Sequence, residues 1–128
     1  MRLSLEDGTE VSISDAADLP PFLHKIDSNR NSFAILARAD EDYVQTVLTE
    51  GGFIIEKRLG NSASHFEATR TAPDVLVPPP PRPWWKFWRN DDVKADRFTL
   101  DDVIQTFAAF MGEGSEPAGL YWSPTNVR

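Results

Sequence analysis

At 128 residues the chain has room for one domain, and its 41% hydrophobic and 26% charged residues are typical of folded globular proteins. The formal net charge of −7 disfavours a protein that binds nucleic acid by neutralising phosphates, and it is easier to reconcile with a basic protein partner. Because the chain lacks cysteine, disulfides, thiolate nucleophiles and zinc fingers are excluded. Charges occupy the N-terminal stretch where a secretory signal needs apolar residues, so we expect one cytoplasmic domain over residues 1–128.

A hairpin and a short helix are predicted at the N-terminus. Polar and apolar side chains alternate over residues 2–14 on both sides of Asp7-Gly8, a pair of residues favoured in tight hairpin turns. A helix is expected between residues 15 and 26. Pro20 and Pro21 lie inside this range, so the helix either begins at the prolines or is broken there. Residues 21–26 fit a helix best.

The middle of the chain predicts a meander of antiparallel strands. Short polar breaks, two of them containing glycine, separate segments with strand composition, and such breaks favour hairpins. The predicted strands are residues 32–39, 42–49, 53–59 and 65–70.

Alternation within these strands predicts two unlike faces. In the third strand Phe53 and Ile55 share one face, while Ile54, Glu56 and Arg58 point to the other, which is therefore the wetter face. The first strand is apolar on both faces, so we expect it to be central or covered twice.

An amphipathic helix is predicted near the C-terminus. Thr99 is a good N-cap, acidic residues follow it, and apolar residues recur at helical spacing over residues 100–111. Residues 119–122 have strand composition. We therefore predict an α+β fold in which this helix covers an antiparallel β-meander sheet, with a short hairpin and helix at the N-terminus.

Residues 72–97 form a proline- and tryptophan-rich excursion that fits neither strand nor helix. Within it, residues 82–89 combine four aromatic side chains, including Trp84, Trp85 and Trp88, with three cations and no acid. This stretch is typical of an interfacial membrane anchor, of a stacking platform for single-stranded nucleic acid, or of a segment that packs on protein. Asp91 and Asp92 follow it and would be repelled by anionic lipid or phosphate, which favours packing on protein.

The residues of the chain do not assemble into a catalytic pattern. His24 and His65 are far apart and belong to no spaced metal-ligand motif. The acidic run 40–42 fits a solvated turn better than a cation site. Glu56 lies in mid-strand, where it must be exposed or paired, with Arg38 or Arg70 as natural partners. We therefore predict no enzyme activity, no cofactor and no metal.

The order of these motifs resembles a known family. Residues 51–58, Gly-Gly-Phe-Ile-Ile-Glu-Lys-Arg, form a glycine turn that leads into a strand with a glutamate; His65-Phe66 follows, then Phe98-Thr99-Leu100-Asp101-Asp102-Val103 at the helix start, and finally Trp122. This pattern is similar to that of the deaminase-toxin immunity proteins, the first of the numbered immunity families of bacterial polymorphic toxin systems.

The resemblance implies a small bacterial cytoplasmic protein that binds a cognate toxin domain, blocks its active site and has no catalysis of its own. Nucleic acid is not expected as a partner. An acidic rim around aromatic residues is a usual arrangement for such a contact. The candidate partner-binding residues are Asp40, Glu41, Asp42, Glu56, Trp84, Trp85, Trp88, Asp91, Asp92 and Trp122. The alternative is a peripheral membrane or scaffold adaptor that uses residues 82–89 as its anchor. The oligomeric state stays open.

Overall fold

The computed structural model describes residues 1–27, 31–60, 65–70 and 96–124. These ranges form an α+β fold built mainly from one antiparallel sheet with two short helices. In chain order the elements are β1 (Arg2–Leu5), β2 (Glu10–Ser12), a short 3₁₀ helix (Ala16–Asp18), α1 (Leu19–Leu23), β3 (Phe33–Ala39), β4 (Asp42–Thr49), β5 (Gly52–Leu59), β6 (His65–Thr69), α2 (Leu100–Phe110) and β7 (Tyr121–Pro124).

The sheet has seven strands within the described ranges, in the order β2-β1-β3-β4-β5-β6-β7. Each pair of neighbours is antiparallel, which confirms the predicted meander from β3 to β6. The N-terminal hairpin joins the same sheet, because β1 pairs with both β2 and β3. At the other edge β7 pairs with β6, and it begins at Tyr121, two residues later than the sequence indicated. β3 is thus an inner strand, as its apolar composition predicted.

Helix α1 is shorter than predicted. Leu19 opens it, and Pro20 and Pro21 follow in its first turn, where a missing backbone N–H costs no intrahelical hydrogen bond. The helix therefore begins at the prolines and is not broken by them. It ends at Leu23, and the expected extension to residue 26 is wrong, because Ile26 donates its backbone N–H to Leu23 in a turn.

Helix α2 begins where the sequence predicted. The side chain of Thr99 accepts a hydrogen bond from the backbone of Asp102, and the Asp102 carboxylate accepts one from the backbone of Thr99. This reciprocal cap satisfies two of the backbone donors at the helix start. Just before the cap, Phe98 pairs with Phe53 through two backbone hydrogen bonds of 2.8 and 2.9 Å. These bonds fix the start of α2 against the start of β5.

Gly52 allows that approach. A Cβ atom at residue 52 would lie 2.9 Å from the backbone oxygen of Phe98, and the residue has a φ of +138°, which other residues rarely adopt. Only glycine therefore fits where the turn after β4 meets the segment that enters α2.

The central strands alternate between buried and half-buried residues. Ala34 and Leu36 of β3, Val44 of β4 and Ile55 of β5 are fully buried and point to one side, which we call the buried face. They belong to one apolar cluster with residues of both helices, namely Leu19, Leu23, Val103 and Phe107. Helix α2 contacts α1, β4 and β5. The intervening residues of the same strands point to the opposite side.

Candidate binding face

The surface opposite the buried face is made of half-buried side chains. It includes apolar, acidic and basic residues from four consecutive strands, and none of them is fully buried. We call this surface the trough face; its residues are Phe33, Ile35, Ala37, Tyr43, Gln45, Val47, Ile54, Glu56, Arg58, His65 and Glu67.

Register divides the trough face into three rows that cross the strands. An apolar row joins Phe33, Val47 and Ile54, which are paired across β3, β4 and β5. The middle row runs from Ile35 on β3 through Gln45 and Glu56 to Glu67 on β6, so it becomes polar towards β6. Cross-strand neighbours on one face lie within contact distance, so each row acts as a continuous strip of similar chemistry.

Two adjoining cavities make this face concave. The first, of about 320 Å³, is lined by Phe33, Val47 and Ile54 together with Ile35, Gln45 and Glu56 of the middle row. The second, of about 310 Å³, extends towards the tip of the β3–β4 hairpin and reaches Asp40. Ile35 and Gln45 line both cavities, so the two form one trough. A concave apolar surface with a few polar groups is the usual form of a binding site.

The hydrogen bonds of the β3 N-terminus hold the trough in place at Phe33. Ser32 donates its backbone N–H and its hydroxyl to the carboxylate of Glu6, at 2.6 and 2.7 Å. The backbone bond and then the side-chain bond from Ser32 lower the pKa of Glu6. Next to them, the buried side chain of Asn31 accepts from the backbone N–H of Asp7 and donates to the Asp7 carboxylate. The entry into β3 is therefore fixed against the β1–β2 turn.

The middle row contains two glutamates directly opposite each other. Glu56 on β5 is the register partner of Glu67 on β6, and Gln45 on β4 donates a 2.9 Å hydrogen bond to Glu56. Like charges in opposite positions of an antiparallel pair repel each other. Burial, and then the charges of Glu56 and Asp96, raise the pKa of Glu67, against the smaller opposing effects of Arg97 and His65. Two carboxylates therefore stand side by side in this part of the trough.

The third row runs from Arg2 on β1 through Ala37, Tyr43 and Arg58 to His65 on β6, so it is basic. Arg58 forms an ion pair with Glu41 at 3.8 Å and lies near the ring of Tyr43, 5.7 Å from its centroid. Its buried Nε atom has no hydrogen-bond partner among the described residues. At the end of the row Arg2 pairs with Glu10 at 3.7 Å. The guanidinium groups of this row are thus neutralised by acids within the protein.

The three residues of the acidic run 40–42 have different surroundings in the structure. Asp40 is exposed and lies at one end of the trough, whereas Glu41 pairs with Arg58. Asp42 accepts a 3.0 Å hydrogen bond from the Nε of Arg38. Only Asp40 of these three is therefore brought to the trough without an ion pair in the described part of the chain.

The predicted cationic partners of Glu56 are wrong. Arg38 is bound to Asp42, and Arg70 lies 3.6 Å from Asp102 and stacks on Phe98. The reason is topological: Arg38 belongs to the other side of the sheet, and Arg70 lies beyond the end of β6. The hydrogen-bond partner of Glu56 is the neutral side chain of Gln45.

Trp122 lies on the buried side of the sheet and is not brought together with Glu56. The ammonium group of Lys57 lies 4.1 Å from the centroid of its ring, and its Nε1 donates a 2.8 Å hydrogen bond to Glu116. Burial lowers the pKa of Lys57, and the charge of Glu116 partly opposes that effect. These residues close one end of a cleft of about 170 Å³ beside Phe110 of α2. Trp122 therefore makes contacts within the protein, on the side of the sheet opposite Glu56.

The aromatic and acidic candidates of the excursion lie outside the described residues. They are Trp84, Trp85, Trp88, Asp91 and Asp92.

The sequence reasoning missed most of the trough. Phe33, Ile35, Val47 and Glu67 were not singled out, although Glu56 was. The sequence did contain a signal for the apolar residues of β3, because the predicted first strand is apolar on both faces. The pairing of Glu56 with Glu67 could not be predicted from the sequence, since it depends on the register between β5 and β6.

Within the described ranges no group of three or more His, Asp or Glu side chains is placed to hold a metal ion. In the same ranges no helix has the length and apolar content needed to cross a membrane. Comparison of the chain with protein-family models, curated proteins and solved structures gives no match.

Proposed function

We propose that this protein is a non-catalytic bacterial immunity protein, which neutralises a cognate toxin domain by covering its active site, and that the trough face makes the contact. The observation that carries the proposal is the apolar row of Phe33, Val47 and Ile54, which lines a cavity of about 320 Å³ on the face opposite the apolar core. Apolar side chains in such a position are commonly interaction surfaces.

The arrangement of the trough supports a protein contact. Binding interfaces concentrate their free energy in a few apolar anchors that charged and polar residues surround and shield from water. Here the apolar row is flanked by Gln45, Glu56 and Glu67, and beyond them by Tyr43 and Arg58. Because these side chains stand on paired strands, little backbone entropy is lost when a partner binds.

The charge of the protein supports a basic partner. Domains that act on nucleic acids need basic substrate surfaces, and an inhibitor with a net charge of −7 would be attracted to such a surface. Electrostatic steering raises the association rate and weakens with salt. We therefore expect association with the toxin to slow markedly as ionic strength rises.

We also propose that α2, together with α1, is the layer that covers the buried face of the sheet. Val103 and Phe107 of α2 are fully buried in the same cluster as Val44 and Ile55. Helix α2 contacts the two strands, β4 and β5, that carry these residues. This arrangement would leave the trough as the face on which a partner can bind.

Co-expression with the toxin domain encoded by the neighbouring gene tests the function. The full chain should restore growth of cells that produce the toxin. Ile54→Arg should abolish rescue, because it places a charge in the apolar row, whereas Leu59→Arg should not, because Leu59 is an exposed apolar residue at the other end of the same strand. Both variants must first give native circular dichroism spectra and thermal unfolding.

The result that overturns the proposal is equally direct. If no toxin domain from the neighbouring genes is neutralised by the wild-type chain, the immunity function is wrong. If rescue occurs but Ile54→Arg and Ile54→Ala both retain it fully, the function stands and the trough is not the contact surface.

A further inference from the structure

We propose that the partner presents a lysine or arginine to the trough, with its cationic end between Glu56 and Glu67, and an apolar side chain close to it in sequence that enters the cavity beside Ile54. The inference rests on the proposed function in one respect: it names the chemistry of a protein partner for the same face.

The first argument is the composition of the middle row. Glu56 and Glu67 are register partners, so their side chains leave the sheet at adjacent points of the same face. Their outer neighbours in the row are Gln45 on β4 and Ser123 on β7, and both are neutral. The row itself therefore has no cation to offset the repulsion between the two carboxylates, and a cation from a partner would remove that repulsion.

The second argument is the electrostatic environment of Glu67. Its pKa is raised by burial, by Glu56 and by Asp96, although Arg97 and His65 act in the opposite direction. Among the described residues, the cations near Glu67 thus do not compensate for the acids and the loss of water. Additional positive charge at this point is stabilising.

The third argument is the position of the cavity. Glu56 and Ile54 line the same cavity of about 320 Å³, together with Val47 and Phe33. This volume lies near the lower end of the ~300–1,000 Å³ typical of ligand sites. A basic side chain and an apolar side chain from one short segment would therefore reach their respective positions together.

The remaining charges of the face favour a basic protein segment over an anionic ligand. The guanidinium groups of Arg58 and Arg2 are already paired with Glu41 and Glu10. The two facing glutamates would repel the phosphates of a nucleic acid or an anionic lipid. Charge complementarity thus selects lysine or arginine.

Defined peptides test the inference without the toxin. Acetyl-Leu-Ser-Lys-Ser-Leu-amide and the same peptide with acetyl-lysine in place of lysine are titrated into the ¹⁵N-labelled full-length protein at low salt. We expect shifts at the amides of Gln45, Ile54, Glu56 and Glu67, and about fivefold tighter binding of the lysine peptide. Acetylation keeps the length of the side chain and removes its charge, so the ratio isolates the cation.

Matched variants locate the effect. The double variant Glu56→Gln with Glu67→Gln should bring the affinity ratio of the two peptides close to one, because it keeps the shape of both side chains and removes both charges. Asp101→Asn should leave the ratio unchanged, since Asp101 is an exposed acid in the first turn of α2.

Three outcomes overturn the inference. The first is that the two peptides bind equally, and the second is that the amide shifts lie outside the trough. The third is that alanine at Trp84, Trp85 and Trp88 changes the amide shifts of the trough in the free protein, which would make residues 82–89 the occupant. Toxin rescue is scored separately. Rescue without lysine selectivity contradicts only this inference, and lysine selectivity without rescue contradicts only the immunity function.

Discussion

The two faces of the sheet use the same strands for different purposes. On β5 the neighbouring residues Ile54 and Ile55 have the same side chain, yet Ile55 is fully buried in the core while Ile54 is half-buried in the trough. The buried face holds the apolar cluster, with Thr46, Lys57 and Arg38 as its polar residues, whereas the trough face changes from apolar to acidic to basic across three rows. Stability thus depends chiefly on one face, which leaves the other free to vary with a partner.

The two faces also differ in how their polar groups are paired. On the buried face the hydroxyl of Thr46 donates a 2.8 Å hydrogen bond to the carbonyl of Ile54, and that of Thr106 donates a 2.7 Å bond to Asp102. On the trough face two glutamates oppose each other, and Arg58 keeps a buried Nε atom without a partner in the described ranges. Local conflicts of this kind are expected where binding, and not folding, determines the residues.

The largest effect is expected from alanine substitutions at the two isoleucines of β5. Ile55→Ala should lower the free energy of unfolding by about 2–5 kcal/mol, because it leaves a cavity in a fully buried cluster. Ile54→Ala should lower it by only about 1 kcal/mol, because its side chain is half-buried. Urea unfolding monitored by circular dichroism measures both.

Binding should rank these two variants in the reverse order. At a temperature where both are folded, Ile54→Ala should weaken binding of the proposed toxin partner by about 1 kcal/mol or more, and Ile55→Ala should have little effect. If Ile54→Ala and Ile55→Ala lowered the free energy of unfolding equally, the two side chains would contribute equally to the folded core, and the distinction between the faces would be wrong.

A smaller effect on stability is expected from the cap of α2. Thr99→Ala should lower the free energy of unfolding by about 1 kcal/mol, because it removes the hydroxyl that accepts the N–H of Asp102. Thr99→Ser keeps the hydroxyl and should retain most of the stability. If α2 supports only the buried face, the amide shifts of Val47 and Ile54 should be the same in all three proteins. Large shifts there would show that the trough depends on α2.

The sequence predicted the elements that have strong local signals. The N-cap at Thr99, the turn at Asp7-Gly8 and the meander of four strands each depend on residues close together in the chain, and each prediction is confirmed. The end of α1 was predicted too late, because residues 24–26 carry no local stop signal. They continue as turns, in which Lys25 and Ile26 donate their backbone N–H groups to Phe22 and Leu23.

The site was harder to predict, because it is made by pairing between strands. Alternation placed Ile54, Glu56 and Arg58 on one face of a strand, which is correct. Alternation does not show which residue of β6 lies opposite Glu56, so Glu67 was missed and Arg38 and Arg70 were proposed as partners in its place. One residue of register decides whether a strand presents its acids or its apolar residues to a neighbour.

The smallest effect is expected from removing the charge of Glu67. Burial and the charges of Glu56 and Asp96 raise the pKa of Glu67, while Arg97 and His65 partly oppose them. A carboxyl group whose pKa is raised by folding destabilises the native state as the pH rises above the unfolded pKa, and does so fully above the raised folded pKa. Glu67→Gln should therefore be more stable than the wild type at pH 7, by about 0.5 kcal/mol, since solvent screens a partly exposed pair.

The pH dependence identifies the cause of that gain. Below the ordinary glutamate pKa of 4.5 the wild-type carboxyl is protonated in both the folded and the unfolded chain, so the advantage of Glu67→Gln should disappear there. Urea unfolding at pH 7 and below pH 4.5 measures it, with Glu50→Gln at the exposed β4–β5 turn as the control. A gain that persists at low pH would indicate better packing of the amide. A gain that disappears would mean that the ionised carboxylate of Glu67 costs stability through its burial and its acidic neighbours, and a basic partner would offset the same cost.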